Sequence, residues 1–329
     1  MNQAQQLHAL VSSSESVLLT GPASADGDSI GATLALGEAI RQLGVPRVDV
    51  AANTPSRYRW MRGADDIVSN EAVSSSYEVV IVMDGDRHRL APKVEAAFNA
   101  AENRVVIDHH RTTDTDGYTL AILDPSAAAT CVQVLTILDV WEADLTQEIA
   151  ENLYVGLIFD TGGFRYSNTK PDTHIAAARL LETGFDHAQA ASRILMDKRR
   201  CGMLLHAHVL TEASFHGDGK VAMGVCTKEQ MEACGADMGD LDGLVESLLY
   251  VDGVEVSLVL VEKGPEAVKL SFRSRGLVDV AGLARSLTHQ GGGHAKAAGA
   301  FLAESVTSVS GRLPDVCLEA IARAQGGTN

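Results

Sequence analysis

Short apolar runs in the first half of this chain break off at carboxylates, and that pattern restricts the folds open to it. Residues 16–20 (Ser-Val-Leu-Leu-Thr) run into a loop of turn formers that carries Asp26 and Asp28. Residues 78–83 end at Asp84, and residues 104–107 end at Asp108-His109-His110. Apolar runs this short, bounded by turn formers, read as buried strands. A helix is expected over residues 29–43, with Ile30, Leu34, Ile40 and Leu43 on helical spacing and Gly44 and Pro46 as its stop. A strand over residues 48–52 then completes a β-loop-helix-β unit suited to a parallel sheet. In such sheets ligands bind beyond the carboxyl ends of the strands, which is where these acidic residues fall.

Further along, residues 91–101 read as a helix, as do 125–141 and 145–159. The last of these delivers Asp160 and the segment Thr161-Gly-Gly-Phe-Arg-Tyr-Ser-Asn-Thr169. The alanine-rich residues 127–129 read as ordinary helix. Pro171 suits the first turn of another helix that ends before Gly184. Residues 186–215 are helical and polar in pattern, most simply one long connector helix. Strands follow at 220–226, 254–261 and 268–273, the last two as a hairpin, with helices at 240–249 and 280–287.

The expected fold is therefore α/β. An N-terminal parallel-sheet domain (1–185) is joined by a helical connector (186–215) to a smaller α/β C-terminal domain (216–329). At 329 residues the chain is long enough for two domains. No apolar run reaches the roughly 20 residues of a membrane span. Residues 1–10 lack the basic-then-apolar layout of a signal peptide, so a cytoplasmic protein is expected. The five cysteines are scattered with no C-x-x-C pair, which argues against a disulfide framework or a zinc ribbon. A net charge of −16 argues against binding long nucleic acid, whose affinity rests on neutralising many phosphates. A short phosphorylated ligand, held by a metal and a few arginines, stays compatible with that charge.

The acidic residues at strand ends (Asp26, Asp28, Asp84, Asp108 and later Asp160), with His109 and His110, point to divalent metal. Several carboxylates in one crevice repel each other unless cations neutralise them. Mixed Asp and His ligands suit Mn²⁺, Fe²⁺, Co²⁺ or Mg²⁺ better than Ca²⁺. The stretch Gly291-Gly292-Gly293-His294-Ala-Lys-Ala-Ala-Gly299 allows backbone to approach an anion, with His294 as a donor. It is no P-loop, since no Gly-Lys-Ser/Thr follows at the required spacing. Upstream, Arg273-Ser274-Arg275 supplies two guanidiniums that can clamp a phosphate or stack on a base. His206 and His208, two apart on a helix, read as surface histidines.

Taken together, these residues resemble the DHH phosphoesterase superfamily: Asp108-His109-His110, with Asp26-Gly-Asp28 upstream, Asp84 between and Asp160 after. The glycine-rich stretch is similar to the signature of the DHH-associated C-terminal domain. Within the superfamily the chain most resembles the bacterial nano-RNase and pAp phosphatase group. That resemblance implies a two-domain hydrolase with its active site in the cleft between the domains. It also implies two Mn²⁺ ions, with Mg²⁺ or Co²⁺ as alternatives, and short RNA or DNA oligonucleotides or small nucleotides such as pAp as substrates. No long nucleic acid and no membrane are expected as partners, and a homodimer is left open.

By the same resemblance, one metal is held by Asp28, Asp84, His109 and Asp160. The other is held by Asp26, Asp84 and a histidine four residues before Asp26, where this chain has Pro22. Asp108 and His110 then orient ligands or meet substrate. Arg273 and His294 grip phosphate beside Gly291, Gly292, Gly293, Ser274 and Arg275. The alternatives it leaves are a phosphodiesterase for cyclic or linear dinucleotides, and a protein that binds nucleotide without turnover because of Pro22.

Overall fold

The computed structural model describes residues 2–54 and 56–326; Met1 and the last three residues of the expected C-terminal domain lie outside the described residues. The chain forms two compact units, Met1–Asp197 and Lys198–Asn329. In the first, α1 (Gln3–Ser12), β1 (Ser16–Thr20), α2 (Gly27–Gln42), β2 (Arg47–Ala51) and β3 (Val79–Met83) come in turn. They are followed by α3 (Pro92–Ala100), β4 (Asn103–Asp108) and β5 (Leu120–Leu123). Four helices complete the unit: α4 (Thr130–Val140), α5 (Gln147–Asp160), α6 (Pro171–Leu181) and α7 (His187–Ala191).

All five strands are parallel, in the order β2-β1-β3-β4-β5. The apolar runs are continuous because alternate residues serve two cores. Val17, Leu19, Val79, Ile81, Val105 and Ile107 pack with residues of α2, α4 and α5. Leu18, Val80 and Val82 point the other way, onto Ala97 and Phe98 of α3. Each large side chain so buried contributes about 1.5–3 kcal/mol relative to exposure. Helix α2 is buried along nearly its whole length, which requires small residues where its neighbours cross. A Cβ on Gly31 would lie 2.4 Å from the Asn152 carbonyl of α5, and one on Gly156 would lie 2.3 Å from Cys131 Sγ of α4. Glycine at these two positions lets α2, α4 and α5 meet around Asp28.

Several local expectations change, among them the helix expected over residues 240–249, which starts only at Leu244, after Gly243 at φ 84°. Residues 125–129 are not helical: Ala129 is extended (φ −161°, ψ 155°), and α4 begins only at Thr130. The Ala127 and Ala128 carbonyls are turned to side-chain contacts with His109 and Asn168 instead of to a helix ladder. Nor do residues 186–215 form one long helix. After α7 comes a π-helical turn (Ser192–Met196), an extended stretch, and then α8 (Arg200–Thr211). Lys198 and Arg199 are held by the Asp242 carbonyl and the Asp237 carboxylate, contacts that favour the extended path over a helical one.

The second unit continues with β6 (Ser214–His216), β7 (Val221–Cys226), α9 (Lys228–Cys234) and α10 (Leu244–Leu249). The hairpin β8 (Val256–Gly264) and β9 (Ala267–Ser274) is antiparallel as expected. Then come α11 (Val280–Leu287), β10 (Gly292–His294), β11 (Ala297–Leu302) and α12 (Val306–Gly326). The sheet order is β10-β11-β9-β8-β7-β6, with β7 and β8 its one parallel pair among the described residues. His206 is buried rather than on the surface: its Nε2 lies 2.8 Å from the Asp240 carbonyl, and burial lowers its pKa. Among the described residues no helix is long and apolar enough to cross a membrane.

Candidate metal centre

Strands β1, β3 and β4 lie side by side, so the loop after β1, Asp84 after β3 and Asp108 at the end of β4 share one crevice. It sits where the strand order reverses, the usual ligand position of a doubly wound sheet. Asp26 caps α2, its Oδ1 accepting the amides of Asp28 and Ser29, both at 3.1 Å. Asp28 is fully buried. Its carboxylate accepts the amides of Thr130 (2.7 Å) and Cys131 (2.9 Å), and so caps α4, whose own N-cap residue, Ala129, has no side-chain acceptor.

Asp84 adopts φ +58°, followed by Gly85 at φ +152°, a sharp turn off β3. Its Oδ1 lies 3.5 Å from His109 Nε2, and the Thr130 hydroxyl donates to it at 3.4 Å. His109 is 4% exposed, and its Nε2 is also 3.3 Å from Asp160 Oδ2 and 3.9 Å from Asp28 Oδ2. The other ring nitrogen, Nδ1, faces the Ala127 carbonyl at 3.3 Å. A proton on Nδ1 would leave the Nε2 lone pair to a metal. Behind this group, Asp108 Oδ1 accepts from His110 Nδ1 at 2.7 Å, and Oδ2 accepts from the Thr113 hydroxyl. Gln133 Nε2 donates to the Asp108 carbonyl at 3.0 Å.

The charge balance is poor without a cation. Burial and the neighbouring charge of Asp28 raise the pKa of Asp26. Burial, then Asp26 and Asp28, push Asp84 well above the usual carboxylate range. Burial alone would lower His109, yet the contact with Asp84 and the charges of Asp160 and Asp28 carry it up to about 11. Asp108 differs: burial would raise it, but the donors on His110 and Thr113 hold it at about 2.

Carboxylate oxygens with one imidazole nitrogen form a donor set that first-row divalent ions accept. Donor atoms of Asp28, His109 and Asp160 fall within 4.8 Å of one another, and so do those of Asp84, Asp108 and His110. The residues therefore fit a divalent metal. Pro22 is buried beside Asp84, its Cγ 2.9 Å from where a Cβ on Gly85 would stand, and Ser24 is exposed.

In the second unit, Arg273 of β9 donates from Nε to Glu246 at 2.7 Å. Ser274 is buried and donates to the Val278 carbonyl at 2.7 Å, while Arg275 donates to the Leu249 carbonyl at 2.6 Å. Gly291 and Gly293 have packing reasons of their own: added Cβ atoms would lie 2.1 Å from the Ala284 carbonyl and 2.5 Å from the Ala297 carbonyl. At Gly292 an added Cβ would meet nothing within 4 Å. His294 is exposed at the end of β10.

Three supporting residues escape a reading by sequence, Thr113, Thr130 and Gln133, and a fourth, Asn168, lies in a segment that the sequence marks without giving it a role. Asn168 Nδ2 donates to the carbonyls of Ala128 (2.9 Å) and Asp160 (3.0 Å), tying the loop after α5 to the approach to α4. The signal available was the small-residue run before Thr130, which allows close backbone contact as readily as it allows helix.

A comparison with known families matches residues 16–157 to the N-terminal domain of the DHH family and residues 220–323 to the DHHA1 domain. The chain belongs to the DHH family. It is 34% identical, over 279 residues, to the bifunctional oligoribonuclease and PAP phosphatase NrnA of Thermus thermophilus, covering 84% of this chain and 81% of that protein. The protein of the same name in Bacillus subtilis is 26% identical over 282 residues, 84% of this chain and 86% of the relative. Among solved structures, an exopolyphosphatase-related protein from Bacteroides fragilis shares the fold: TM-score 0.83, 23% identity, 98% of this chain and 96% of that one.

Proposed function

We propose that this protein is a metal-dependent phosphoesterase that cleaves short oligoribonucleotides to mononucleotides and removes the 3′-phosphate of pAp. The observation that carries the reading is the convergence of Asp28, Asp84 and Asp160 on His109 Nε2 at 3.3–3.9 Å. The names of its Thermus and Bacillus relatives support the substrate class.

Asp28, Asp84, His109 and Asp160 would hold the metal, for which we propose Mn²⁺, with Asp26 and Asp84 facing a second ion that lacks a ligand from Pro22. Bound there, the metal supplies Lewis-acid charge to the phosphoryl oxygens and to the attacking water. The protein's own residues set the geometry. Asp28 is fixed by the α4 amides and His109 by the Ala127 carbonyl. His110, tied to Asp108 and 3.7 Å from Asp84, is proposed to meet substrate. In the second unit Arg273 and His294 are proposed to hold phosphate. The Ser274 hydroxyl and one Arg275 nitrogen donate to backbone carbonyls, which supports the strand end where Arg273 sits.

The test is turnover by the purified protein with Mn²⁺ on a dinucleotide and on pAp, with products separated by chromatography. Mononucleotides from the first, and AMP with phosphate from the second, are expected. No product from either would overturn the reading. The Pro22→His variant separates enzyme from binding protein, since an enzyme turns over before that substitution is made.

A further inference from the structure

Arg273 and His294 stand in one row of the second unit's sheet. Register pairs Ser257 of β8 with Arg273 of β9, Arg273 with Ala297 of β11, and Ala297 with His294 of β10, all antiparallel. Residues directly opposite each other in such pairs share a face of the sheet. At about 4.8 Å per strand, Arg273 and His294 are about 10 Å apart at the backbone. The Ala297 methyl lies between them and takes up little of that width.

The other end of the row fixes α10. Ser257 is buried, and its hydroxyl donates to the Val245 carbonyl at 2.8 Å. The next residue of the helix, Glu246, accepts from Arg273 Nε at 2.7 Å. Arg273 Nη1 donates to the Phe272 carbonyl at 3.0 Å. Its Nη2 donates to no acceptor among the described residues. The guanidinium is thus held at two nitrogens, and the third keeps both its protons for a ligand.

Stability alone does not account for Glu246. Its Oε2 is buried with no hydrogen-bond partner among the described residues. A buried polar atom left unpaired is unfavourable, and in native proteins such an atom calls for an explanation beyond packing. The Arg273 side chain is 28% exposed, and ion pairs with exposed arginines contribute little to stability. What the contact does supply is order in a long side chain.

We propose that Glu246 is a positioning residue for substrate binding, holding the Arg273 guanidinium in the conformation that grips phosphate beside His294. The proposal rests on the phosphoesterase reading, and within it on Arg273 as a phosphate ligand. A long side chain that is already ordered loses less freedom when the ligand arrives. The negative charge of Glu246 opposes an incoming anion, so its contribution comes through the geometry of Arg273 and not through charge.

The experiment uses the full chain with Mn²⁺ and compares wild type, Glu246→Ala, Glu246→Gln, Arg273→Ala and the Glu246→Ala/Arg273→Ala double variant. KM and kcat are followed on a dinucleotide and on pAp, with AMP binding by calorimetry and thermal unfolding alongside. Glu246→Ala should raise KM about fivefold, the cost of ordering one long side chain on binding. AMP affinity should fall by a similar factor, kcat should change less than KM, and Tm should stay at or above that of wild type. Glu246→Gln keeps an acceptor for Nε and drops the charge, so it recovers most of the affinity. In the Arg273→Ala background, Glu246→Ala adds nothing. Glu246→Ala that binds AMP as tightly as wild type overturns the proposal. So does Glu246→Gln as weak as Glu246→Ala, or a fivefold effect that persists without Arg273. Wild type inactive on both substrates, or Arg273→Ala with unchanged KM and AMP affinity, instead fails the underlying reading, so the two failures are distinguishable.

Discussion

The Asp28 carboxylate accepts the backbone amide of Thr130 at 2.7 Å, so a residue of α2 caps α4 from across the centre. A second amide, that of Cys131, reaches the same carboxylate at 2.9 Å. One side chain thus joins two duties, fixing a helix start and facing the proposed metal position. Asp28→Ala is expected to destabilise the metal-free protein by about 0.5–2 kcal/mol, the range for a lost helix cap. Relief of repulsion with Asp26 and Asp84 offsets part of the cost. Denaturant unfolding in chelator gives this number, and metal binding measured alongside should be lost.

Gly156 is the tightest point of the same arrangement. A Cβ there would stand 2.8 Å from Asp28 Oδ1 as well as 2.3 Å from Cys131 Sγ. Gly156→Ala should cost about 1–3 kcal/mol by overpacking and weaken metal binding by displacing Asp28. Adding Cys131→Ala removes the sulfur and should restore part of the stability. Thermal unfolding with and without Mn²⁺ reads both effects.

The hydroxyl of Thr113 donates to Asp108, which in turn accepts from His110. Thr113→Val keeps the shape and removes the donor. We expect activity to fall about tenfold, the lower end of what outer partners of metal sites contribute, with folding intact by circular dichroism. Thr113→Ser should retain most of the activity.

Much of this centre was legible in the sequence, because the chemistry sits where apolar strands end. Asp84 and Asp108 follow uninterrupted buried runs, and the structure brings both against His109 and His110. What stayed hidden depends on tertiary contact. Residues 127–129 have helical composition, yet the Ala127 and Ala128 carbonyls are claimed by His109 and Asn168. Strand β5 (Leu120–Leu123) is short and only half-buried, so it lacks the apolar signal of its neighbours. The break between α7 and α8 is held by hydrogen bonds from Lys198 to the Asp242 carbonyl and from Arg199 to the Asp237 carboxylate, partners about 40 positions away that no local pattern encodes.

Pro22 offers no ligand beside Asp84, so wild type should bind one Mn²⁺ tightly and a second weakly. Pro22→His should add a second tight ion, counted by metal analysis after gel filtration. Two tight ions in wild type would mean that another residue fills the place.

The central claim is that Asp28, Asp84, His109 and Asp160 hold the divalent ion on which hydrolysis depends. The direct measurement strips the protein with chelator, titrates Mn²⁺ back, and follows bound metal and dinucleotide cleavage in the same sample. His109→Ala is carried in parallel. The account predicts no cleavage without metal, cleavage rising with the first equivalent bound, and loss of both binding and cleavage in the variant. Undiminished cleavage by the stripped protein, or His109→Ala that binds and cleaves like wild type, would contradict it.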